Sequence, residues 1–223
     1  MIKITLVFAL VLSILLLLTA CGVEDTTLTS GDGKELAAKL DETAKPVDVT
    51  VTSQMKSVTH YADIDIKDYG TITVALDAGS APITVENFVT LAKDGFYDGL
   101  TFHRIIKGFM MQGGDPLGNG TGGSDKNIKG EFAANGVANE LTHVRGAISM
   151  ARSSAPDSAS SQFFIVHEDS LFLDGNYAVF GYVTSGIGVV DAVCNAAQPT
   201  DGNGSIAKSA QPVINKVTIR EAE

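Results

Sequence analysis

The chain is expected to fold mainly as β structure, a closed eight-stranded antiparallel barrel capped by two α-helices. Apolar residues recur with period two at 61–66 and 71–76, short β-rich runs follow at 146–151, 162–166, 177–183 and 213–219, and two further short strands fit 102–106 and 109–113. The runs are separated by Gly, Pro, Asp and Ser, as turns require. In this part of the chain only 83–92 and 187–197 carry convincing helical spacing. A barrel closed at its ends by helices accommodates this count without exposed sheet edges.

The N-terminus is organised differently. Lys3 precedes an almost unbroken apolar run over 4–18, followed by Leu18-Thr19-Ala20-Cys21-Gly22, which predicts a secretory leader over residues 1–20. The tetrad ending at Cys21 resembles the bacterial lipobox. That resemblance implies an acylated Cys21 as first mature residue, and an extracytoplasmic protein held to a bacterial cell membrane by its lipid. The formal charge of −10 becomes more negative when Lys3 is removed, which argues against nucleic acid as partner. With Cys21 lipidated, Cys194 has no intrachain partner, so stability rests on a packed core and the thiol is read as buried and inert. Residues 21–57, rich in Thr, Ser, Asp, Lys and Ala, read as a flexible tether. A short helix could form over 34–44, but Leu36, Ala37 and Leu40 make a thin stripe. Residues 58–223 suit one domain.

Within that domain, 61–66 and 71–76 form a hairpin around Lys67-Asp68-Tyr69-Gly70. Ala81-Pro82 opens a helix with apolar positions 85, 88, 89 and 92, and Gly95 lies just past its end. The stretch from Phe102 to Gly114 is the chemical centre. Period two puts Phe102, Arg104 and Ile106 on one side, and after a turn near Gly108 it sets Phe109, Met111 and Gly113 against Met110 and Gln112. A guanidinium among apolar side chains needs partners for its donors, and suits one wall of a pocket that recognises a neutral ligand with an acceptor. Alternation likewise sends Phe163 and Phe164 to opposite faces, one to the core and one to the pocket.

Other chemistries find less support. The glycine-rich loop over 113–123 lacks the Gly-Lys-Ser/Thr and following helix of a phosphate site. His60, His103, His143 and His167 lack ligand-like spacing, so no metal site is expected. The serines around Asp157 lack a Gly-x-Ser-x-Gly elbow and read as a loop.

Several motifs occur together: Phe102-His-Arg-Ile-Ile106, Gly108-Phe-Met-Met-Gln-Gly-Gly-Asp115, Gly120-Thr-Gly-Gly123, Ser149-Met-Ala151, Ser161-Gln-Phe-Phe-Ile165, Leu173-Asp-Gly175 and Val179-Phe-Gly181. In their order they resemble the cyclophilin family of peptidyl-prolyl isomerases over nearly all of 58–223. The resemblance implies an eight-stranded barrel with two capping helices. It implies Arg104, Gln112 and Phe109 as catalytic residues, and Met110, Ala151, Gln162, Phe164, Phe172, Leu173 and Tyr177 along the substrate site. The substrates implied are proline-containing polypeptides, bound by a monomer without metal or cofactor.

The implied mechanism is physically coherent. Rotation about X–Pro must break amide resonance, against a barrier of about 18–20 kcal/mol. The prolyl nitrogen gains lone-pair character as it twists, so a donor aimed at it favours the twisted state over both planar ones. Arg104 is that donor and Gln112 its orienting partner. Phe172, Tyr177 and Arg152 stand where well-known eukaryotic members have tryptophan, histidine and asparagine. The tryptophan contributes to cyclosporin binding, so that property is not carried over. The rival reading is a module that grips proline segments as a holdase without turnover.

Overall fold

Eight strands form one antiparallel sheet in the order β3-β4-β6-β5-β7-β2-β1-β8, in a computed structural model that describes residues 32–47 and 53–222. The expected leader and Cys21 lie outside the described residues. Among the described residues no helix is long and apolar enough to cross a membrane. In chain order the elements are α1 (Asp32–Thr43), β1 (Val58–Ile66), β2 (Gly70–Asp77), α2 (Pro82–Lys93), β3 (Phe102–Ile106), β4 (Met110–Gly113), β5 (Ala147–Met150), β6 (Phe163–Val166), β7 (Val179–Ser185), α3 (Ile187–Ala196) and β8 (Ile214–Glu221).

The hairpin and both expected helices lie where periodicity put them, and α1 is a third helix. Ile64 and Ile66 of β1, Ile72, Val74 and Leu76 of β2, and Phe163 and Ile165 of β6 point inward and are fully buried. Val85, Phe88 and Val89 of α2 and Val190 and Val193 of α3 close over them. Phe88 sits at the centre, its ring 5.0 Å from Tyr97, 5.5 Å from Phe163 and 5.4 Å from Phe180. Its first turn has no capping side chain of its own, because Ala81 occupies the cap position. Buried Glu131 supplies the acceptors, taking bonds from the amides of Ile83 (3.0 Å) and Thr84 (2.7 Å) and from the Thr84 hydroxyl (2.7 Å).

The expected closed barrel needs correction. β3 and β8 are the two edges of an open, curled sheet. Their ends approach where the chain leads into them: Gly99 N–H donates to Ile214, Ile214 N–H to Leu100, and Phe102 N–H to Pro212. Further along, the free edge of β3 is covered by a loop. Ile105 N–H donates to Gly204, and Ile206 N–H donates to His103. The edge problem that motivated closure is thus met by a loop rather than a strand.

The tether expected over 21–57 also needs correction for its described part. Ala37 is buried, and Leu36, Leu40, Ala44 and Val47 pack on the core. The stripe is thin, as its sequence says, but α3 offers a site that needs little more. A Cβ at Gly188 would overlap the Asp41 backbone, so its absence lets α1 approach closely, and Gly188 N–H donates to the Asp41 carboxylate at 3.1 Å. Arg145 extends this attachment, donating through Nε to Lys45 O at 3.1 Å and pairing with Asp191 at 2.7 Å. Burial works against the Asp191 charge, but His167 and Arg145 outweigh it and hold its pKa below the usual carboxylate range. Cys194, next to this group on α3, is buried, and its thiol is pushed up to about 12 chiefly by that burial, which leaves it inert at neutral pH.

Candidate active site

The site lies on the outer face of the sheet and follows from strand register. Arg104 pairs with Gln112, Gln112 with Phe164, and Phe164 with Ser149, so one row of outward side chains crosses four strands. Ile106, Met110 and Val166 form the next row. A bulge at His103 shifts register between Phe102 and Arg104. Phe102 is therefore fully buried in the core while Arg104 points outward, and the expectation that both share a side is corrected. Strict alternation fails here because one extra residue turns the strand.

The resulting cavity, about 790 Å³, is lined by Arg104, Phe109, Met110, Gln112, Ala151, Phe164, Leu173 and Tyr177 among others. Phe164 and Met110 are nearly inaccessible and form its floor. Phe163 points the other way into the core. Gln162 belongs to a neighbouring cavity and reaches Gln112, whose Nε2 donates to its Oε1 at 2.9 Å. Phe172, expected along the substrate site, is not in the cavity wall. It is 72% exposed and its ring lies tilted against that of Phe109, with centroids 5.5 Å apart.

Arg104 is held from three directions. Its Nε donates to Asn203 O at 2.8 Å, and Nη1 lies 3.4 Å from Gln112 Oε1 and 3.7 Å from the Met110 sulfur. Its Cζ stands 5.9 Å from the Phe109 ring centroid. Nη2 donates to no acceptor among the described residues, so two N–H groups remain for a ligand. Burial lowers the Arg104 pKa, with Tyr177 and Asp201 opposing it, and the group stays charged at neutral pH.

A second layer stiffens the floor. His143 is buried, with Nδ1 2.8 Å from Asp174 Oδ1 and Nε2 3.0 Å from Ser149 Oγ. Its ring stacks on Phe164 at 5.9 Å, and Tyr177 meets both edge-on. The order Ser–His–Asp resembles a hydrolytic triad in connectivity only, since the Ser149 hydroxyl is fully buried and no substrate reaches it. Among the described residues no group of three His, Cys, Asp or Glu side chains converges as a metal site would require.

Sequence reasoning missed several lining residues. His103, Asn203, Ser205, Ile206 and Gln211 line the cavity as well. Asn203 acts through its carbonyl, which leaves no trace in residue type. The rim at 117–121 could have been found, because Asp115 is followed by turn-forming residues. Its carboxylate accepts from the amides of Leu117 (2.8 Å), Asn119 (3.0 Å) and Gly120 (2.6 Å). Burial opposes that charge, but these amides outweigh it and lower the pKa. A Cβ at Gly122 would overlap the same carboxylate.

An outer-face socket with an apolar floor and a fixed guanidinium, carried on this sheet, defines a class that seats a small apolar group and donates to an acceptor beside it. The comparisons give the family. The model described as cyclophilin type peptidyl-prolyl cis-trans isomerase/CLD matches residues 61–223. A peptidyl-prolyl cis-trans isomerase of Helicobacter pylori strain J99 is 50% identical over 127 residues, covering 57% of this chain and 75% of the relative. Peptidyl-prolyl cis-trans isomerase B of Bacillus subtilis is 51% identical over 122 residues, covering 55% and 82%. The crystal structure of a Cryptosporidium parvum cyclophilin-type isomerase in the presence of the dipeptide Ala-Pro superposes with a TM-score of 0.64 at 30% identity, over 73% of this chain and 99% of that one. The chain belongs to the cyclophilin-type peptidyl-prolyl cis-trans isomerases. It is an enzyme that acts on proline-containing peptides.

Proposed function

We propose that this isomerase is a lipid-anchored folding catalyst for secreted or envelope proteins, and that Arg104 stabilises the twisted prolyl amide. The observation that carries the mechanism is the pair of free Nη2 N–H groups held over an apolar floor by Asn203 and Gln112. Phe109, Met110, Phe164 and Leu173 would seat the pyrrolidine ring away from water, which strengthens any donor beside it. Gln112 is itself tied to Gln162, and Gln162 Nε2 donates to Gly122 O at 2.7 Å, so the donor set is organised before substrate arrives. No bond is made or broken. An acceleration of roughly 10⁵ would ask for about 7 kcal/mol from donation, desolvation and seating together.

The location rests on the leader and Cys21. Mass spectrometry of the membrane fraction tests it, with a diacylglyceryl-modified Cys21 as the expected result and an unmodified or retained leader as the contrary one. Exchange NMR of a short X–Pro peptide with the full-length protein tests turnover. Accelerated cis–trans exchange is expected. Binding without acceleration would leave a holdase.

A further inference from the structure

The binding face carries a charge opposite to that of the protein. The chain has a formal charge of −10, yet the main cavity and its neighbour contain Arg104, Arg152 and Lys208 in their walls and no Asp or Glu. Carboxylates around it are hydrogen-bonded outside the groove, although Asp201 keeps a charge that acts on Arg104. Asp115 is turned into amides of its own loop, Asp174 faces His143, and Asp201 accepts from the amides of Asn203 and Ser205.

Arg152 is the one cation that lines both cavities. It is fixed in place. Nε and Nη2 donate to Asn176 O at 3.0 and 2.8 Å, and Nη1 donates to Ser153 O at 2.9 Å and lies 3.4 Å from Ser154 O. Its Cζ stands 4.8 Å from the Phe132 centroid and 4.7 Å from that of Tyr177. These partners are neutral, so they immobilise the guanidinium without cancelling its charge, and one Nη2 N–H stays unused. Immobilisation removes the entropy that an exposed lysine or arginine loses on pairing.

We propose that the groove selects proline segments bearing a carboxylate side chain within two residues of the proline, and that Arg152 is the residue that sets this preference. The inference rests on the isomerase reading and specifies its substrate class. A cationic wall with no acidic residue draws anionic segments into the groove and opposes cationic ones.

The test uses the full-length protein and peptide series in which Glu, Gln or Lys occupies one of the two positions before the proline or the one after it. The readout is the Glu-to-Lys ratio of kcat/KM, which cancels any uniform loss. In at least one series a ratio of roughly tenfold is expected at about 20 mM salt, shrinking toward unity at about 0.5 M. Arg152→Gln should abolish the ratio. Arg152→Lys should keep most of it, although a lysine cannot reproduce the hydrogen bonds to Asn176, Ser153 and Ser154, so a purely structural role is separated from a charge role. Ratios near unity in all series, or a ratio untouched by Arg152→Gln, overturn the proposal. If no peptide turns over, the isomerase reading falls instead, and the same ratio taken from dissociation constants by titration decides the charge preference by itself.

Discussion

Replacing Arg104 with alanine tests the centre of the mechanism. The fold should tolerate it, because the guanidinium is only partly buried and its main protein acceptor, Asn203 O, belongs to an exposed residue that water can satisfy. A preorganised donor aimed at developing charge contributes about 2.7–4 kcal/mol in well-excluded sites. The cavity here is open on one side, so about 2–3 kcal/mol is the appropriate range, or roughly 30- to 150-fold in kcat/KM at about 1.36 kcal/mol per tenfold. Because Nη2 is aimed at a state that exists only during rotation, the loss should fall on kcat while KM moves by about threefold or less. Line-shape or exchange NMR on a single X–Pro peptide measures both, and thermal melting shows whether the variant is folded. A folded Arg104→Ala enzyme within about threefold of wild type, or a loss confined to KM, would refute the reasoning.

Three further outcomes are expected. Glu131→Ala leaves the buried Thr84 amide and hydroxyl without their acceptor and exposes the start of α2 to an uncapped dipole, so denaturant unfolding should show a loss of about 2–4 kcal/mol. Gly188→Ala forces a Cβ into the Asp41 backbone, so hydrogen exchange should rise across 32–47 well before the sheet responds; equal protection in both proteins would show that α1 does not depend on this approach. Burial lowers the pKa of His103, with Asp115 opposing and Arg104 reinforcing, and burial lowers that of His143 against the pull of Asp174. Both are neutral in the fold, whereas the unfolded chain takes up these protons near pH 6.5, so their contribution is complete above that pH and is lost as pH falls below it. The melting temperature should drop between about pH 7.5 and 5.5, at up to about 1.36 kcal/mol per pH unit for each histidine, and His103→Leu should flatten that slope.

The β1–β2 hairpin was legible in period-two runs because burying one face imprints alternation on residue type. Where both faces are covered, as in β6 with Phe163 inward and Phe164 outward, the run reads as continuously apolar and its two destinations must be assigned by register. α2 and α3 were legible for the same reason at helical spacing. α1 was legible as a possible helix over 34–44, but its docking was not, because that depends on a glycine 147 positions away from the Asp41 it meets.

The chain by itself determined the residue types of the site and their order: one arginine, two glutamines and a set of mostly large apolar side chains, each on a strand or turn whose pattern is local. Local pattern suffices there because alternation and turn chemistry act over a few residues. Only the tertiary structure decided that a bulge at His103 sends Phe102 inward and Arg104 outward, that the sheet stays open with a loop over β3, that Asn203 O steadies Arg104, and that Arg152 joins the same wall. Each of these depends on groups distant in sequence meeting through backbone atoms, and backbone carbonyls and amides are the same in every residue, so nothing in the letters marks them.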